Sequence, residues 1–160
     1  PTVYIETSIV SILRSRPSGR VVSAARQLLT RRWWNTERRN YDLFTTQFVL
    51  DEASQGDPQL AAERLEALAG IPLLDLPQEI PQIADELLSR AVLPPKARLD
   101  ALHISAATYH EIDYLLTWNC THIANARLIP KVRRVVGELG FSPPHICTPE
   151  ELLDDENDTE

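Results

Sequence analysis

The chain has 160 residues, 43% of them apolar, which is enough for one domain with a real core, and no run of about 18 apolar residues offers a membrane span. Net charge is −7, which argues against a nucleic acid partner. The charge is unevenly spread, however: residues 1–40 carry eight arginines against Glu6 and Glu37, while residues 150–160 carry seven acids and no base. The local arginine surplus keeps a polyanionic partner open. The first basic residue is Arg14, so no secretory leader is expected and cytoplasmic location is the default. Cys120 and Cys147 have neither disulfide-framework nor zinc-ligand spacing and read as small core residues.

Taken in order, residues 2–6 read as a first strand, since Val3-Tyr4-Ile5 has the β-branched and aromatic character of sheet interior. Ser8 is expected to cap a short helix through Leu13, and Pro17-Ser18-Gly19 interrupts it. The next helix is expected to turn Val21, Val22, Ala25, Leu28 and Leu29 inward, with its arginines outward, and to end at Arg31-Arg32-Trp33-Trp34. Leu43–Thr46 reads as a strand and Gln47–Ser54 as a helix, with Gly56-Asp57-Pro58 as a break. An amphipathic helix over Gln59–Ala69 stops at Gly70, and Ile71–Leu74 is expected to be a strand at a sheet edge because of Pro72. Helices follow over Gln78–Ala91 and 97–110, then a strand over Ile112–Thr117, a helix over about 127–139 and a last strand at His145–Thr148. Residues 1–153 read as one domain and 154–160 as an acidic, disordered tail. Strands and helices alternate throughout, which predicts an α/β fold with a parallel sheet covered on both faces.

Three carboxylates fall where such a sheet binds ligands, at strand ends and helix starts. Glu6 ends the first strand, Glu52 follows the second by a short helix segment, and Asp100 opens the alanine-rich helix. A glutamate directly after an apolar strand is costly to bury without a partner. Converging carboxylates repel and invite a cation; oxygen donors suit Mg2+ or Mn2+, which can activate water for phosphodiester hydrolysis. His103 lies one turn beyond Asp100 on the same helix face. Thr7, Ser8, Thr46, Thr117 and Asn119 add uncharged polar groups at the same edge, and His122 and Asn125 have weaker claims. Asp113 starts its strand and is expected at the opposite edge.

Four motifs together resemble the PIN-domain family, and within it the VapC-like toxins of prokaryotic toxin–antitoxin modules. They are Tyr4-Ile5-Glu6-Thr7-Ser8, the stretch Thr45–Glu52, the stretch Asp100–Ala107, and Asp113–Asn119. The resemblance covers roughly residues 2–150. It implies a three-layer α/β/α sandwich with a parallel sheet of about five strands and a Mg2+- or Mn2+-dependent ribonuclease. Carried over by position, Glu6, Glu52 and Asp100 would hold the metal. Arg14, Arg31 and Arg32 belong to the basic stretch that would hold the RNA backbone. It also implies a cognate antitoxin and a homodimer. Two departures stand out: the family's first acid is usually aspartate and is Glu6 here, and its fourth acidic position falls on Asn119. The alternatives are a PIN-fold RNA-processing nuclease outside any toxin module, and a degenerate PIN fold that binds RNA or protein without cutting.

Overall fold

The structure, a computed structural model, describes residues 1–154. Most of the expected acidic tail therefore lies outside the described residues. Four short strands pair in parallel in the order β2-β1-β3-β4, with β1 at Thr2–Ile5, β2 at Asp42–Phe44, β3 at Tyr114–Leu116 and β4 at His145–Cys147. Among the described residues seven α-helices connect or flank them: α1 Thr7–Leu13, α2 Val21–Arg32, α3 Gln47–Ala53, α4 Pro58–Leu68, α5 Glu79–Ser89, α6 Arg98–Tyr109 and α7 Ile129–Glu138. Val3, Tyr4 and Ile5 are consecutive and all fully buried, so both faces of β1 are covered, as a parallel sheet requires. This α/β arrangement is compatible with a three-layer sandwich.

The alanines of α6 explain its close seat. Ala101, Ile104, Ala106 and Ala107 are fully buried, and α5 brings Ile80, Ile83, Ala84 and Leu87 against this helix in the most extensive helix–helix contact of the fold. Gly70 after α4 and Gly140 after α7 have φ of +82° and +88°, the left-handed backbone that ends a helix without a Cβ penalty. No helix among the described residues is long and apolar enough to cross a membrane.

Three local expectations are corrected. The residues at 71–74 do not form a strand: a single bridge joins Thr45 to Leu73, held by Thr45 N–H to Pro72 O (3.0 Å) and Leu74 N–H to Thr45 O (2.9 Å). Pro72 has no N–H to extend the ladder. The cap of α1 is Glu6, whose carboxylate accepts the Ser8 N–H, and not Ser8.

The third correction concerns α2. Val21, Val22 and Leu28 are exposed, and the residues it buries are Gln27 and Thr30. Both are tied down by hydrogen bonds. Gln27 Nε2 donates to Ser15 Oγ and to Arg16 O, each at 2.7 Å, and its Oε1 accepts the Ser18 N–H. Thr30 Oγ1 donates to Arg26 O and accepts Trp118 Nε1–H at 2.7 Å. Polar side chains face inward because partners wait for them there, which satisfies the requirement that buried polar groups be bonded. Trp33, by contrast, is buried in the core as a large apolar body, and the Arg38 guanidinium covers the partly exposed Trp34 ring at 4.3 Å.

Candidate functional site

Parallel register puts the site together. Ile5 pairs with Leu116 and Tyr4 with Phe44, so Glu6, Thr117 and Thr45-Thr46 leave their strands side by side. The order β2-β1-β3 places successive crossovers on opposite sides of β1, so the crevice at its carboxyl end is a topological switch point. Asp113 lies at the other edge, as expected, where its exposed carboxylate accepts the Thr2 N–H at 2.8 Å.

Glu6 is only 4% exposed. Its Oε2 accepts the Ser8 N–H (2.6 Å), and its Oε1 accepts the hydroxyls of Ser8 (2.7 Å) and Thr117 (2.6 Å). Bonds of this charge-assisted kind contribute about 1.5–3 kcal/mol each, which offsets the cost of burying the carboxylate. Ser8 Oγ also accepts the Trp118 N–H, and Thr117 Oγ1 accepts the Asn119 N–H, so the start of α1 is sewn to the end of β3.

Glu52, on α3, receives two donors on one oxygen: Thr7 Oγ1 at 2.6 Å and His103 Nε2 at 2.5 Å. A carboxylate only accepts, so His103 donates from Nε2. The other ring nitrogen meets the Tyr4 hydroxyl at 2.7 Å, and that hydroxyl meets Thr46 Oγ1 at 2.8 Å. Tyr4 and His103 are almost wholly buried, so the chain Thr46–Tyr4–His103–Glu52 runs through the core to the carboxyl edge. Burial pushes the Glu52 carboxyl up, but the bond and charge of His103, with the Thr7 hydroxyl, outweigh it and hold the group below its ordinary value. Burial raises the Tyr4 phenol far above its usual range, and the charges of Glu6 and Glu52 add to this against the Thr46 bond.

Asp100 lies in the first turn of α6. Asn119 Nδ2 donates to Oδ1 at 2.9 Å, and His122 Nδ1 lies 3.1 Å from Oδ2. Asn119 Oδ1 in turn accepts the His122 N–H. Burial drives the Asp100 carboxyl above its ordinary value; the charges of His103 and His122 oppose this, and that of Glu52 adds to it. Asn119, at the position where the resemblance implies an acid, is thus a donor that holds Asp100.

Glu6 and Asp100 are linked through Thr117 and Asn119, Glu52 belongs to a separate chain through Thr7 and His103, and the only ion pairs of the three carboxylates among the described residues are to His103 and His122. Among the described residues no lysine or arginine pairs with them. Oxygen donors with surplus negative charge fit a hard divalent cation in donor type and charge. As arranged, Asn119 and His122 occupy the Asp100 oxygens, and among the described residues no three His, Cys, Asp or Glu side chains are gathered as a metal-holding group.

Of the arginines singled out, Arg14 caps the C-terminus of α1 and Arg31 and Arg32 end α2; none bonds a site carboxylate. Sequence reasoning passed over Tyr4 and Trp118, and took Arg26 only as one of the arginines around 14–39 expected to hold an RNA backbone. Tyr4 reads as an apolar strand residue, although a phenol inside a strand needs a partner for its hydroxyl. The Arg26 guanidinium lies over the Trp118 ring, 5.1 Å from its centroid, and 4.0 Å from Cys120 Sγ, on either side of Asn119 in sequence. The meeting of Trp118 with Arg26 gave no signal in the sequence, because it depends on how α2 packs against the end of β3.

No family model matches the chain, and neither a curated protein nor a solved structure matches it.

Proposed function

We propose that the chain is a PIN-like, divalent-cation-dependent endoribonuclease, acting as the toxin of a toxin–antitoxin pair. The observation that supports this reading is that Glu6, Glu52, Asp100 and Asn119, drawn from four separate motifs, lie at the carboxyl edge of the sheet beside its switch point, with histidines and no lysine or arginine paired to the acids among the described residues. In this reading the fold is the three-layer α/β/α sandwich of the family, with the single bridge between Thr45 and Leu73 in place of a fifth strand. Glu52, Asp100 and Glu6 would hold Mg2+ or Mn2+. When bound, such a cation supplies Lewis acidity, stabilising phosphoryl charge and activating water.

The chain's own groups prepare the site. His103, fixed by Tyr4, keeps Glu52 ionised and oriented, while Asn119 and His122 aim the Asp100 oxygens. Orienting partners of this kind commonly change affinity or activity about 10–100-fold when removed. Exposed Val21, Val22 and Leu28 on α2 leave apolar surface for the antitoxin or a second copy that the same reading includes.

The test is incubation of the purified protein with RNA in the presence of Mn2+ and then chelator. Cleavage that chelator stops and Asp100→Asn abolishes supports the reading; cleavage unaffected by both removes it. One observation favours the non-cleaving alternative: Glu6 spends both oxygens capping α1 and holding Thr117. In that case RNA would be bound but left intact at any Mn2+ concentration.

A further inference from the structure

Between the α1–α2 loop and α2 lies a cavity of about 330 Å³, lined by Ser15, Arg16, Ser18, Ser23, Arg26 and Gln27. Its polar lining is two guanidinium groups, three hydroxyls and an amide, with no carboxylate, and Ile12 adds an apolar side. Residues 7–36 contain six arginines and no acid, so nothing local cancels the positive charge. Neither Arg16 nor Arg26 forms an ion pair among the described residues. The acid whose charge reaches Arg16 is Asp57, and it is already bonded to the Gln59 and Leu60 N–H groups as the cap of α4.

The wall is preorganised. Gln27 is 7% exposed and makes three bonds that fix Ser15, Arg16 and Ser18, so the loop cannot fold away without leaving a buried amide unsatisfied. Arg26 is fixed from the other side by the Trp118 ring. Arg26 also reaches Cys120 Sγ at 4.0 Å, so its guanidinium lies against the segment whose Asn119 holds Asp100.

From these features we infer that the cavity is a subsite for a phosphate group, with Arg26 and Arg16 as its cationic ligands and the Ser18 and Ser23 hydroxyls as further donors, the Ser15 hydroxyl being spent on Ile12 O. Guanidinium forks match phosphate oxygens bidentately, and the held fork of Arg26 loses little entropy on binding, while the exposed Arg16 side chain, fixed only at its backbone carbonyl, supplies charge. Resting on the ribonuclease reading, the inference assigns this phosphate to the RNA backbone, on the α2 side of the carboxylates. Arg31 and Arg32, at the far end of α2, do not line the cavity.

Two measurements test it, both with chelator present so that no RNA is cut. In the first, a short labelled single-stranded RNA is bound over a salt series. Each lost phosphate contact should reduce the slope of log affinity against log salt by about 0.7. Arg26→Gln and Arg16→Gln should each show that reduction, and Arg133→Gln on exposed α7 should not. In the second, inorganic phosphate is titrated while the amide signals of Ser18 and Ser23 are followed by NMR; they should move in the native protein and stay still in Arg26→Gln. Slopes at the native value together with unmoved amides overturn the subsite, even if the protein cuts RNA. Amides that move with phosphate, lost in Arg26→Gln, in a protein that binds no RNA keep the subsite as a free-phosphate site and remove the RNA reading. A changed slope with unmoved amides supports a site specific to the RNA backbone. Should Arg26→Gln fail to fold, Arg16→Gln decides in both measurements, since the Arg16 side chain is exposed and supports no core.

Discussion

Glu52 and Asp100 sit on one edge of one sheet, both half-buried, yet their carboxyls are displaced in opposite directions. Glu52 has two short donors on one oxygen, and the imidazole among them is anchored by a phenol and a second hydroxyl behind it. Asp100 has a neutral amide and a partly buried imidazole at longer distance, and it feels the Glu52 charge. Burial is common to both; the wiring differs. The tightly wired carboxylate is ionised by the protein itself, whereas the loosely wired one stands to gain most from a cation.

The largest expected effect breaks both arms of this comparison. Asp100→Asn and Glu52→Gln should each reduce chelator-sensitive RNA cleavage to background. Their thermal stabilities should part company at neutral pH: Asp100→Asn should melt no lower than the native protein, because it removes a charge that burial penalises, and Glu52→Gln should melt lower. Equal melting losses in calorimetry would contradict the opposed displacements.

Next comes Asn119. Asn119→Ala should cost about 10–100-fold in Mn2+ affinity or cleavage by freeing Asp100. Asn119→Asp sharpens the point, since it sets a carboxylate against a carboxylate. Without metal it should melt lower than the native protein, and Mn2+ should raise its melting temperature by more than it raises the native one.

Tyr4→Phe probes the wired arm alone. It strips the hydroxyl between Thr46 and His103 and should cost about 1–3 kcal/mol in denaturant unfolding. Carboxyl-carbon NMR should show the Glu52 titration moving up while that of Asp100 stays where it is.

The smallest effect is the pH dependence of stability. Glu52 titrates lower in the folded than in the unfolded chain, so its contribution is complete above the ordinary carboxylate value of about 4 and is lost as pH falls through its folded value. Asp100 titrates higher when folded. Its ionisation therefore subtracts stability as pH rises from the ordinary value to the folded one. Unfolding curves between about pH 3 and 7 should lose the first slope in Glu52→Gln and the second in Asp100→Asn; unchanged slopes would assign the pH dependence to other groups.

How much of this was legible in the sequence depends on the range of the interaction. The first strand and the three carboxylates could be placed because apolar runs, helix periods and parallel connections are local or topological features. The inward face of α2 could not. Hydrophobic periodicity selects Val21, Val22 and Leu28, whereas the fold buries Gln27 and Thr30, whose partners are a loop nine to twelve residues back and the Trp118 indole. The 71–74 segment has strand composition, but Pro72 lacks the N–H to continue pairing past one bridge. Glu6 was read as a ligand and is also a helix cap, a role its longer arm permits by reaching the Ser8 N–H.

Sequence alone settled that the fold is α/β with a parallel sheet, that Glu6 follows the first strand and Asp100 opens a helix, and that the basic charge is concentrated before residue 40, because each depends on residue type and spacing; the expected alternation of strands and helices gives way to four successive helices, α3 to α6. Only the tertiary structure decided what each acid touches. Tyr4 and His103 are 99 residues apart and Glu6 and Thr117 are 111 apart, and no local pattern encodes such a pairing. A hydrogen bond acts over about 3 Å, so whether a carboxylate is held ionised, held loosely or left for a cation is set by the packing of the elements that carry its neighbours.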